Sequence, residues 1–142
     1  MKPLTSKDFR LFQIAYKTAT NATFHRCKTG CIVVHGNTVL STGFNTEKTH
    51  SMQSYYNGFN NEIEDCLEHK LHAEIHALNQ LKYRDLDWNR IKLYIYRIRN
   101  INGEQTIGLA RPCPSCMEFI KKLGIKDIYY TTNDGYCYER LT

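Results

Sequence analysis

The sequence predicts an α/β domain whose elements run in the order α-β-β-α-β-α-β-β. Two kinds of observation support this. Apolar residues recur at helical spacing in some segments, while others are short β-branched and aromatic runs bounded by turn residues. Turn signals at Gly36-Asn37 and Asp134-Gly135 mark where such runs double back. With 142 residues the chain fills one core and has no room for two, so positions 1–142 are read as a single domain.

Taken in order, Ser6 caps a first helix from Lys7 to about Thr18, with Phe9, Phe12, Tyr16 and Ala19 on one stripe. Gly30 to His35, the turn Gly36-Asn37, and Thr38 to Phe44 form a hairpin. A polar stretch from Thr46 to Lys70 separates this hairpin from a helix over Glu74 to Lys82. Lys92 to Ile98 reads as a strand, followed by a turn at Asn102-Gly103. Pro114 suits the first turn of a helix running to about Leu123, because its missing N–H has no helical partner to lose. Strands at Asp127 to Thr131 and Tyr136 to Leu141 close the chain. The Asp134-Gly135 turn makes the last strand antiparallel to its neighbour.

Two short motifs carry chemistry: His72-Ala73-Glu74 and Pro112-Cys113-Pro114-Ser115-Cys116. His72 and Glu74 would stand about 200° apart on a regular helix. They converge on one point only if His72 sits at the helix mouth, before the backbone becomes regular. Cys113 and Cys116 share a face at the start of the next helix, where the dipole and free N–H groups favour thiolates. One histidine and two thiolates make a three-ligand zinc set, and a missing fourth protein ligand separates a catalytic zinc from a structural one. Zinc at such a site brings the pKa of a water towards about 7. Glu74 then remains as a carboxylate that carries protons rather than binding metal.

Blander readings exist for each part. A lone Cys-x-x-Cys is also a redox pair, and with one histidine it is also a structural zinc knuckle. His76 follows His72 by four residues, as in a zinc-protease helix, but that motif needs a glutamate directly after the first histidine, and Glu74 is one place late. His76 is therefore read as a packed or supporting histidine.

Composition is that of an ordinary globular enzyme, 42% hydrophobic and 23% charged. No apolar run approaches the ~18 residues of a membrane span, and the first residues lack the apolar stretch of a secretory signal, so no membrane is expected. Of the six cysteines two belong to the metal motif, which points to a reduced, cytoplasmic setting rather than a disulfide framework.

With its His-x-Glu … Pro-Cys-x-x-Cys pair, the chain resembles the zinc-dependent cytidine and deoxycytidylate deaminases along most of its length. That resemblance implies a cytidine deaminase-like three-layer fold: a five-stranded mixed sheet, the metal-bearing helices on one face, and the last strand antiparallel. It implies one catalytic zinc held by His72, Cys113 and Cys116, with Glu74 as the catalytic acid and base. Gly43-Phe44-Asn45 stands where relatives carry an asparagine that bonds the sugar, although an asparagine in a loop is also a plain turn former. Backbone N–H groups near Ala73 and Cys113 would meet the pyrimidine edge. Arg111 either meets a phosphate or is simply solvated. Phe24, Tyr55 and Tyr130 are each either base-stacking or core. The Thr46–Lys70 stretch resembles that of phage deaminases, and Cys27, Cys31, His50, Cys66 and His69 are the local candidates for a second zinc, at spacings matching no template. The tail after Thr131 is too short for the extra helix of the nucleic-acid-editing branches.

A net charge of +5, with Lys82, Arg84, Arg90, Lys92, Arg97, Arg99 and Arg111 close in sequence, suits a phosphorylated ligand or a nucleic acid, and equally a solvated strand edge. Three readings follow. The first is hydrolytic deamination of a free cytosine nucleotide or nucleoside by a homo-oligomeric enzyme. The second is editing of cytosine or adenine within DNA or RNA. The third is a non-catalytic zinc-stabilised nucleic-acid-binding module.

Overall fold

A computed structural model describes residues 3–22, 28–49 and 70–141. The first helix, α1 (Ser6–Ala19), starts one residue earlier than expected because Thr5, not Ser6, caps it. The Thr5 hydroxyl accepts the Asp8 N–H, and the Asp8 carboxylate accepts the Thr5 N–H, a reciprocal capping box. The buried stripe is Leu11, Phe12, Ala15 and Ala19, while Phe9 stays 44% exposed at the rim.

Two strands, β1 (Lys28–His35) and β2 (Thr38–Phe44), pair antiparallel across Gly36, whose φ of 62° suits a residue without a Cβ. Beyond Asn45, β3 (Thr46–Thr49) and β4 (Lys70–Leu71) form a separate two-stranded ladder. Then come α2 (Ala73–Asn79), a short 3₁₀ turn at Trp88–Arg90, and the long strand β5 (Ile91–Ile101). The chain continues through β6 (Glu104–Gly108), α3 (Pro114–Leu123), β7 (Asp127–Thr131) and β8 (Tyr136–Arg140). No helix among the described residues is long and apolar enough to cross a membrane.

The main sheet runs β2-β1-β5-β7-β8. Among the described residues only the β5–β7 pair is parallel, and β8 returns antiparallel to β7, as the Asp134-Gly135 turn required. Among the described residues the sheet has six strands rather than five. Asn102 and Gly103 both take positive φ, 51° and 82°, and this Asn-Gly turn folds β6 back onto Arg97–Ile101. The β5 edge facing β7 is thus shared: β7 pairs with Lys92–Ile95 and β6 with Arg97–Ile101.

Side chains alternate between two cores. Cys31, Val33, Leu93, Ile95, Ile128 and Tyr130 face α2 and α3. Ile32, Val34, Tyr94, Tyr96 and Tyr129 face α1. This period of two is what sandwiches a sheet between helix layers. Two glycines set the layer spacing: a Cβ on Gly30 would lie 2.4 Å from the Ala15 carbonyl oxygen of α1, and one on Gly43 would lie 2.4 Å from the Ala77 nitrogen of α2. Each helix therefore rides directly on strand backbone.

Candidate active site

The site forms where the starts of α2 and α3 meet over the sheet. His72 occupies the N-cap position of α2 in an extended conformation, φ −82° and ψ 155°, which resolves the angular conflict with Glu74. Cys113 is the N-cap of α3, also extended, with Pro114 in the first turn. Neither cap makes the usual side-chain bond to its helix. Instead both side chains turn to one point: His72 Nδ1 lies 3.1 Å from Cys116 Sγ and 3.5 Å from Cys113 Sγ. All three donor atoms fall within 4.8 Å of one another. Tetrahedral zinc with ordinary N and S bond lengths would set such donors about 3.5 Å apart, so the residues fit that ion in type and in spacing.

The electrostatics agree with a metal-ready cluster. Hydrogen bonding from Cys116 outweighs burial and, with His72 nearby, brings the Cys113 thiol down to about 4. Glu74, only 5% exposed, is pushed up to about 7 mainly by burial, with His72 opposing and Cys113 adding to the rise. Cys31, on the neighbouring strand, is buried, and its thiol is raised by burial and by Glu74.

A pocket opens over this cluster, lined by Asn45, His72, Ala73, Glu74, Arg111 and Cys113, with Thr29 and Arg97 on its wall. Of the residues expected from the sequence, Asn45, His72, Ala73, Glu74, Arg111 and Cys113 thus line one cavity, and Cys116 adjoins it through His72. Asn45 is 2% exposed, and its Oδ1 accepts the Thr29 N–H at 2.8 Å while its own N–H donates to the Thr29 carbonyl at 3.2 Å. It thus locks the end of β2 to β1 at the pocket edge. His76 is outside the donor cluster: its Nδ1 lies 3.1 Å from the Phe44 nitrogen and 3.0 Å from the Phe44 carbonyl oxygen, and its ring meets Phe44 edge-on. Tyr130 is a core residue whose hydroxyl donates to Glu139. Phe24, Tyr55, Cys27, His50, Cys66 and His69 lie outside the described residues.

Sequence reasoning missed Glu139. Arg111 donates from Nε and Nη2 to both Glu139 oxygens, each at 2.9 Å. The two residues are joined only by the fold, and no sequence signal pointed to the pair.

Residues 5–132 match the family described as the cytidine and deoxycytidylate deaminase zinc-binding region, and the chain belongs to that family. Among solved structures it is similar to the dCMP deaminase of the cyanophage S-TIM5 in complex with dCMP and dUMP. That match has 27% identity and a TM-score of 0.59, covering 93% of this chain and 84% of the other. The apo form of the same enzyme matches at 25% identity and a TM-score of 0.58, covering 93% and 86%. Cytidine deaminase from Burkholderia pseudomallei shares the fold at 15% identity and a TM-score of 0.61, covering 96% and 93%. A search of curated proteins finds no match.

Proposed function

We propose that the chain is a zinc-dependent hydrolytic deaminase of free cytosine nucleotides or nucleosides, of the dCMP or cytidine type. The observation that carries this is the buried Glu74 carboxyl beside the His72, Cys113 and Cys116 donors. A structural zinc has no use for such a group, which weighs against a non-catalytic module.

His72, Cys113 and Cys116 would hold zinc, which when bound supplies a Lewis acid that acidifies water. Glu74 takes the proton of the attacking water as oxygen adds to C4 of cytosine. It delivers that proton to N3, then takes the proton of the new C4 hydroxyl and passes it to the 4-amino group, which leaves as ammonia and gives uracil. A carboxyl raised towards neutrality by burial can both accept and return a proton near pH 7. The burial of Glu74 keeps bulk water from these transfers. Asn45 and Ala73 line the pocket and would meet sugar and base, and Arg97 and Arg111 line it too and would contribute positive charge.

The antiparallel β8 and the likeness to a dCMP deaminase support a monomer substrate over a strand. Ammonia release should be measured on cytidine, deoxycytidine, their monophosphates, guanine and a short single-stranded oligonucleotide. Turnover is expected on cytidine-type monomers. Efficient turnover of the oligonucleotide with none on any monomer would reverse this reading in favour of editing.

A further inference from the structure

Arg111 follows a chain segment held from two sides. The Ala110 N–H donates to the Thr131 carbonyl at 2.8 Å, and the Leu109 N–H donates to Asn133 Oδ1 at 3.1 Å. Its guanidinium is gripped in turn by β8: Nε and Nη2 donate in parallel to the two Glu139 oxygens. Glu139 is itself fixed by the Tyr130 hydroxyl, which donates to Oε1 at 2.9 Å from the core. Arg111 and Glu139 are 48% and 28% exposed, and an ion pair so open to water contributes little to stability. Its geometry, two parallel bonds backed by a buried tyrosine, is better suited to aiming a guanidinium.

We infer that Glu139, supported by Tyr130, is a positioning residue that holds Arg111 across the pocket mouth so that its Nη1 edge reads the phosphate of a nucleoside monophosphate. Glu139 occupies the Nε–Nη2 side of the fork, and the Nη1 side is the edge a ligand can use. The charges permit it: Arg97 and Arg111 both line the pocket, and Glu139 pairs with only one of these two cations, leaving Arg97 to add its charge towards a phosphate monoester carrying about −2. This inference rests on the reading of the pocket as a site for cytosine monomers, and it assigns the choice between nucleotide and nucleoside to one residue held by another.

The test compares binding of dUMP and deoxyuridine to the zinc-loaded full chain by calorimetry, in parallel with kcat and KM for dCMP and deoxycytidine. The readout is the ratio of the two affinities, so a general weakening from altered folding cancels. Wild type should favour dUMP by about tenfold or more, the worth of a charge-assisted bond. Arg111→Gln should abolish the preference, and Glu139→Gln should remove most of it while raising KM for dCMP more than it lowers kcat. Tyr130→Phe should remove a smaller part, and the Arg111→Gln/Glu139→Gln pair should be no worse than Arg111→Gln alone. Equal wild-type affinities, or a preference that survives Arg111→Gln, would overturn the inference. So would a stronger preference in Glu139→Gln, since Glu139 would then screen Arg111 rather than aim it. If the predicted ratios hold but dCMP is not turned over, the inference stands and the proposed deaminase activity fails.

Discussion

On one face of the sheet the start of α1 is closed by its own sequence, with Thr5 and Asp8 satisfying each other's backbone groups. On the other face the corresponding positions of α2 and α3 are His72 and Cys113, whose side chains make no cap bond and meet each other instead. The rest of each face follows suit. Beneath α1 the core mixes aliphatic and aromatic side chains, with Tyr94 and Tyr129 stacked at 4.4 Å and a buried carboxylate, Asp8, engaged by the Tyr94 hydroxyl at 2.6 Å. Beneath α2 and α3 the core is aliphatic, yet it buries Glu74 among sulfur and imidazole. The same architecture thus spends its local hydrogen-bonding rules on stability on one side and sets them aside for chemistry on the other.

The largest expected effect lies on the site face. Cys113→Ala removes one of three donors and should abolish both bound zinc and turnover, with a lower melting temperature because metal binding also stabilises the fold. Metal content by elemental analysis beside an ammonia assay checks this, and full activity in that variant would refute the donor assignment.

The two glycines give a matched comparison. Gly43→Ala forces α2 away from β2 and should cost ~1–3 kcal/mol of stability. Because His72 and Glu74 start that helix, turnover should also fall, by roughly a hundredfold for a displacement near 1 Å. Gly30→Ala makes the same clash with α1 and should lose similar stability while kcat stays near that of wild type. Equal losses of kcat in both variants would show that the faces are not independent.

Acid should act on the α1 face through Asp8. Burial raises its carboxyl, but the bonds from Tyr94 and Thr5 more than offset this and leave it below its ordinary value. A carboxylate lowered on folding stabilises the fold above its unfolded pKa of about 3.9, and that contribution is lost as pH falls through the lower folded value. Asp8→Asn should therefore be less stable at pH 7 yet lose less stability than wild type between pH 5 and pH 2, as followed by denaturant melts. Parallel curves would remove Asp8 from the account. The smallest effect is expected for Thr5→Ala, about 1 kcal/mol from loss of the cap with no change in turnover.

Much of this was legible because it is local. The span Pro114–Leu123 and the strand Asp127–Thr131 appear where Pro114, the cysteine spacing and the apolar run placed them. The donor set was readable because helix starts bring nearby residues to one point. Thr5 was missed although its partner is in the sequence: Asp8 stands three residues after Thr5, whereas Ser6 has Phe9 at that distance. The sixth strand was missed because Glu104-Gln105-Thr106 is polar, and backbone pairing across Asn102-Gly103 supplies what side chains do not. Glu139 and the close approaches at Gly30 and Gly43 depend on contacts far apart in the chain, which no local pattern encodes.

The central claim, that the site face holds a metal for catalysis and Glu74 moves the protons, is tested most directly by Glu74→Gln. Zinc per chain and ammonia release from dCMP and deoxycytidine should be measured on the same preparation. The account predicts about one zinc per chain with turnover reduced by at least roughly a thousandfold, the usual scale for losing a general acid–base group. A variant that loses its zinc would place Glu74 in the coordination sphere, and one that keeps its zinc and its activity would remove it from the chemistry; either result contradicts the assignment.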